Sequence, residues 1–253
     1  MPTYRLDLAF DGAGYCGWQR QPNQRSIQET VEQCLQQLFP QEQIVLLGAG
    51  RTDAGVHALQ QVAAFTVSKP REPKQILRGV NAKLPSDIVC SLVQQMDDDF
   101  HPRSHSKTKM YRYRILNRSL PCPFRRGVTW HISKALDIPS MQQAARLFVG
   151  DHDFRGYRAS KCSSKTTIRT ITKSQVYLYD DEVRFEVEGK GFLRHMVRIM
   201  TGVLVAVGEG QLTVDFVAQS LSGVSRSTLA QTAPSHGLCL VWTSLLDNAY
   251  QTE

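Results

Sequence analysis

The order in which strand and helix periods follow one another limits the fold more than any other feature of this chain. Tyr4, Leu6, Leu8 and Phe10 recur at every second position with Arg5, Asp7 and Ala9 between them, the alternation of a half-buried strand. Ser26 and Glu29 form a capping box, and Ile27, Val31, Cys34, Leu35 and Leu38 then follow helical spacing until Pro40. Strands over 43–47 and 61–67 flank a glycine-rich loop, 48–58. Pro73 suits the first turn of a helix carrying Ile76, Leu77 and Val80, and 88–93 reads as another strand. Polar, irregular residues 97–107 come next, and the order repeats. A strand over 109–117 precedes a helix opened by Pro139, with Met141, Ala144, Ala145 and Phe148. Strands 168–179 and 183–187 pair across Asp180, Asp181 and Glu182. Helix 192–207 follows, with apolar residues along one broad face, then a short helix 214–221 and a closing strand 238–245. The segment 151–167, rich in Arg, Lys and Ser, reads as a mobile loop. Two ferredoxin-like β-α-β-β-α-β units follow from this order, one over 1–105 and one over 106–253, giving an α+β protein. Each unit carries an antiparallel sheet backed by helices. Joined edge to edge, the two make a mixed, mainly antiparallel sheet with a central cleft.

Charge narrows the partner. Thirty Lys and Arg against 23 Asp and Glu leave +7 on 253 residues, an excess that suits a polyanion. The six cysteines are scattered without a C-x-x-C pair, which predicts free thiols in a reducing compartment. His101 and His105 stand four apart, but Pro102 argues against a helix there, so they read as solvated or RNA-facing rather than metal-binding. The N-terminus lacks the apolar core of a signal peptide, and the longest apolar run, 203–207, is far too short to span a bilayer. A cytoplasmic protein without a membrane segment is expected.

The loop GAGRTDAGVHA holds one carboxylate, Asp53, with Arg51 and His57 close by and Gly48, Gly50 and Gly55 around it. It is not a dinucleotide fingerprint, because Asp53 stands where the third glycine belongs, and it lacks the Gly-Lys-Ser/Thr of a phosphate-binding loop. The chain has no G-x-S-x-G nucleophile elbow. An Asp between glycines serves as a turn residue or as a catalytic carboxylate, and spacing alone leaves both open. Arg51 could neutralise it or reach a phosphate. Tyr111 and Tyr113 alternate with Arg112 and Arg114, which is either core patterning or base stacking beside a phosphate backbone. Arg194 and Arg198 stand four apart with His195 between, placing both arginines on one side of the expected helix.

GRTDAGVHA, with FDGAGYCGWQRQPN before it and KMYRY, GFLRHMVRIMTG and GLCLVW after it, resembles the TruA family of tRNA pseudouridine synthases. The likeness is collinear over nearly the whole chain. It implies the pseudouridine synthase fold and isomerisation of uridine to pseudouridine at positions 38, 39 and 40 of the tRNA anticodon stem-loop, by base flipping, with no cofactor or metal. It also implies a homodimer. By position in the motifs, Asp53 would be the catalytic carboxylate, acting either at C1′ or as a base on the sugar. Arg198 would pair with it. Tyr111 would stack on the flipped uracil, Arg51 would fill the space the nucleotide leaves, and Leu240 would be an apolar wall. Arg103, Lys109 and Arg194 would contact RNA. Ser104 stands where the family carries an aromatic residue, while Arg103 is kept. The competing readings are a non-catalytic tRNA-binding or RNA-chaperone protein and a carboxylate hydrolase. The second would need another acid beside Asp53, and the sequence offers no obvious one.

Overall fold

The computed structural model describes residues 1–160, 162, 164–222 and 229–246. The chain divides into two units, Met1–Thr108 with Leu240–Glu253, and Lys109–Cys239. In the first unit, strand β1 (Thr3–Phe10) leads to helix α1 (Ile27–Leu38), whose Ser26 cap accepts the Glu29 amide. Then come β2 (Leu47–Gly48), β3 (His57–Thr66), α2 (Pro73–Asn81) and β4 (Ile88–Met96). The strand β1 lies between β3 and β4, antiparallel to both, and β2 pairs with β3. That order, fourth-first-third-second, is the ferredoxin-like arrangement expected from the element sequence.

Two sequence expectations need correcting here. Strand β1 is covered on both faces: Arg5 and Asp7 are each only 5% exposed. They form a bidentate pair at 2.8 Å, and Gln60 donates to Asp7 at 2.7 Å. The expected strand over 43–47 shrinks to β2. The Ile44 and Leu46 amides donate to Gln36 and Glu32 of α1, and the Leu46 carbonyl accepts from Gln28. Helix side chains satisfy this backbone, so no ladder is needed.

The second chain half begins with β5 (Ser106–Asn117), to which β6 (Trp130–Ile132) adds in parallel. Helix α3 (Ile138–Arg146) is capped by Asp137. Strands β7 (Gly150–Asp153), β8 (Ile168–Tyr179) and β9 (Glu182–Gly189) follow, then α4 (Met196–Gly208), α5 (Val214–Ser220) and β10 (Leu238–Leu245). Strand β9 lies between β5 and β8, antiparallel to each, and β7 borders β8. Strand β10 lies beside β3.

Three further expectations change. The stretch 151–167 is not simply a loop: it contains β7 and a 3-10 turn, Arg155–Tyr157. Phe148, Phe154 and Tyr157 form a buried ring cluster with centroids 5.6 to 6.4 Å apart, an apolar anchor for residues 154–157. Helix α4 starts at Met196, because His195 has φ +63°, which a helix cannot accommodate. Arg194 therefore precedes the helix and does not share a face with Arg198. The helix is also buried all round, with Arg198 as the one residue that is not buried. None of the helices among the described residues is long and apolar enough to cross a membrane.

On β5 the expected alternation holds: Tyr111, Tyr113 and Ile115 are buried, while Arg112 and Arg114 lie on the other face. Those two arginines are not left for phosphate. Arg112 pairs with Glu186 at 2.7 Å and Arg114 with Glu182 at 2.6 Å, across the β5–β9 ladder. Glu182 also takes Arg184 at 3.0 Å while remaining 2% exposed. Burial raises its pKa, but the two arginines outweigh that and hold it below the usual 4.5. Its contribution to stability is therefore full above the ordinary glutamate pKa and is lost as pH falls through the depressed folded value. Glu182→Gln should destabilise by about 3 kcal/mol in urea denaturation at pH 7. The variant should also show a weaker loss of stability than the wild type as pH drops below 4.5.

Candidate active site

The Asp53 loop is held by a second glycine-rich loop, residues 11–20, within the first unit. Trp18 N–H donates to the Thr52 carbonyl at 3.1 Å, Gly55 N–H to the Tyr15 carbonyl at 3.3 Å, and Gly17 bridges Asp53. At the loop's base, Gln61 donates to the Gly50 carbonyl at 2.7 Å. This packing is why the glycines are needed. Gly55 has φ +76°, and a Cβ on Gly48 would lie 2.6 Å from the Trp18 indole. A Cβ on Gly12 would lie 2.0 Å from the Val56 carbonyl. The holding loop is anchored in turn. The Tyr15 hydroxyl donates to Asp87 at 2.6 Å under the Arg25 guanidinium, which stands 4.4 Å from the ring centre. Burial and then the Asp87 bond push the Tyr15 pKa well up, so the hydroxyl stays a donor.

His57 begins β3, so it is less a loop residue than its position in the motif implies. Its Nδ1 accepts the Gly12 amide at 3.2 Å. The same nitrogen lies 3.0 Å from Asp11 Oδ1. Asp53 itself is partly exposed, on a backbone fixed from both sides. Arg51 is exposed and makes no ion pair among the described residues. Leu240, on β10, is fully buried.

In the second unit, Tyr111 is 8% exposed, and Phe192 meets it edge to face with ring centres 5.1 Å apart. Phe192 lies in the extended segment before α4 rather than on the helix. Tyr113 is core: its hydroxyl donates to the Pro234 carbonyl at 2.7 Å, and burial pushes its pKa far up despite the Arg198 charge. The Ala233 backbone holds Arg198. Its Nε donates to the Ala233 carbonyl at 2.8 Å, and the Ala233 amide donates to the Arg198 carbonyl at 3.1 Å. Gly202, one turn further along α4, permits that approach, since a Cβ there would lie 1.9 Å from the Gln231 carbonyl. This segment fixes an arginine on an otherwise buried helix.

The other expected RNA contacts differ in exposure. Arg103 and Arg194 are exposed, whereas Lys109 is 8% exposed. His101 and His105 are tied into one turn, with His101 Nδ1 accepting the Arg103 amide at 3.3 Å and His105 Nδ1 accepting the His101 amide at 3.1 Å. Sequence reasoning missed Phe192, Ala233 and the Tyr15–Asp87–Arg25 clamp. The glycines flanking Tyr15 and Trp18 were the available signal for the clamp.

The profile of a family described as tRNA pseudouridine synthase matches residues 8–103 and 144–243. A tRNA pseudouridine synthase A of Acetivibrio thermocellus is 42% identical over 241 residues, covering 95% of this chain and 98% of its own. Another from Geotalea daltonii is also 42% identical over 241 residues, with the same coverage. A chain in the crystal structure of the archaeal box H/ACA sRNP Nop10-Cbf5 complex is 13% identical, with a TM-score of 0.34. It is covered over 46% of its length by 92% of this chain. The matching profile and the two relatives define a pseudouridine synthase. The chain belongs to the tRNA pseudouridine synthase family and is an isomerase of tRNA uridine.

Proposed function

We propose that this enzyme converts uridine to pseudouridine at positions 38, 39 and 40 of the tRNA anticodon stem-loop, with Asp53 as its catalytic carboxylate. The observation that carries the reading is the Asp53 loop, a motif carboxylate on backbone held rigid by a second loop. The reaction breaks the N1–C1′ bond, turns the uracil and joins C5 to C1′. N1 gains a proton and C5 loses one, so no atom is exchanged overall and positioning dominates catalysis. A stacked uracil is out of reach, and flipping it costs on the order of a few kcal/mol.

Each remaining role follows from the side chain. Arg198, oriented by Ala233, is the motif arginine that pairs with Asp53 and directs it. Tyr111, braced by Phe192, stacks on the flipped base. Exposed Arg51 occupies the vacated stack, and buried Leu240 supplies an apolar wall. Arg103, Lys109 and Arg194 contact the RNA. On this reading the enzyme works as a cytoplasmic homodimer without cofactor or metal.

Release of tritium from tRNA carrying 5-tritiated uridine tests the reaction. Tight tRNA binding with no release would favour a non-catalytic binder. Tyr111→Phe keeps the ring face, so its tRNA Kd should stay within about threefold of wild type while turnover falls. Loss of affinity in that variant would remove the stacking role. Arg51→Ala should lower turnover more than binding.

A further inference from the structure

The second unit contains a cavity of about 410 Å³ lined by Arg158, Ser160, Arg194, His195, Thr232 and Ile199. We infer that it seats one backbone phosphodiester of the RNA, an assignment that rests on the proposed tRNA function. Its two arginine-bearing segments are tied together, with the Ala159 amide donating to the Arg194 carbonyl at 3.0 Å. Among the described residues, neither Arg158 nor Arg194 has a carboxylate partner. Arg112, Arg114, Arg118, Arg125, Arg155 and Arg184 in the same unit do, whereas Arg126, Arg146 and Arg169, outside the cavity, do not. The cavity thus gathers two uncompensated guanidiniums, an imidazole and two hydroxyl side chains.

Like charges brought together in a concavity repel unless an anion lies between them. A phosphodiester carries one charge on two free oxygens, which suits two arginine forks with hydroxyl donors beside them. The volume leaves room for the attached ribose, with Ile199 as apolar wall. The seat shares its segments with Arg198: His195 and Ile199 flank that arginine along the chain, and Thr232 precedes Ala233, its carbonyl acceptor. A strand held there is set in register with Arg198.

The test is equilibrium binding of unmodified tRNA by the full chain across a salt series, for wild type, Arg158→Ala, Arg194→Ala and the double variant. Each single variant should weaken binding about tenfold, the effect of one lost charge-assisted contact. The double variant should fall well short of the product, because both arginines hold one phosphate. Its slope of log Kd against log salt should drop by about 0.7–0.9, the value for a single phosphate. Arg158→Lys and Arg194→Lys should recover part of that slope, which gives a reading even if an alanine variant folds poorly. Unchanged affinity, losses that multiply, or a slope change twice as large would overturn the seat. Displacement of tRNA by inorganic phosphate or uridine 5′-monophosphate at low millimolar concentration would assign the cavity to a free anion instead. Tritium release by the wild type is read in parallel. Its absence beside an intact phosphate signature would remove the proposed isomerisation and leave the seat standing.

Discussion

Asp53→Asn should lower tritium release by about 10⁴-fold or more, while tRNA affinity stays within about threefold of wild type. The size of the loss follows from removing the carboxylate proposed as nucleophile or base. Binding survives because the loop is not held by that carboxylate alone. It is held by the Trp18 and Gly55 amides, the Gly17 bridge and Gln61 on the Gly50 carbonyl. Asparagine is also a good turn residue, so a purely structural Asp53 would tolerate the change with activity intact. Parallel tritium-release and gel-shift measurements separate the two cases. Collapse of both together would mark Asp53 as a structural residue.

Gly202→Ala has the next largest expected effect, and local reasoning gives it the opposite sign. Inside a helix, alanine is favoured over glycine by about 1 kcal/mol. In α4 the added methyl would lie 1.9 Å from the Gln231 carbonyl, on backbone that cannot swing aside like a side chain. Overpacking of this kind should leave the variant less stable by about 1–2 kcal/mol net. The melting temperature should then fall by about 3–6 °C. Displacing Gln231 should carry the Ala233 carbonyl, two residues on, away from Arg198. A displacement near 1 Å in a positioning group lowers turnover on the order of 10²-fold. A stabilised variant with full turnover would show that the 231–233 segment does not orient Arg198.

The element order was legible because apolar period is a local property. Tyr4 to Phe10, the α1 stripe and the β8–β9 pair all announce themselves within a few residues. What escaped was decided over longer distances. Residues 43–46 carry strand-like sequence, yet Gln28, Glu32 and Gln36 on α1 take up their hydrogen bonds. Segment 151–157 looks polar and loose, yet Phe148 pins Phe154 and Tyr157. The start of α4 turns on the left-handed backbone of His195, which nothing in FLRHM signals. The site divides in the same way. Asp53, Arg51, Tyr111 and Arg198 could be picked out by motif resemblance. Phe192 beside Tyr111 and Ala233 beside Arg198 required coordinates, because each pair is remote in sequence.

The most direct measurement maps pseudouridine, by carbodiimide modification and reverse-transcription stops, in unmodified tRNA incubated with the wild-type enzyme or Asp53→Asn. The expected result is new stops reporting positions 38, 39 and 40 with the wild type and none with the variant. Modification elsewhere in the tRNA, or equal modification by both proteins, would contradict the proposed site and the role of Asp53.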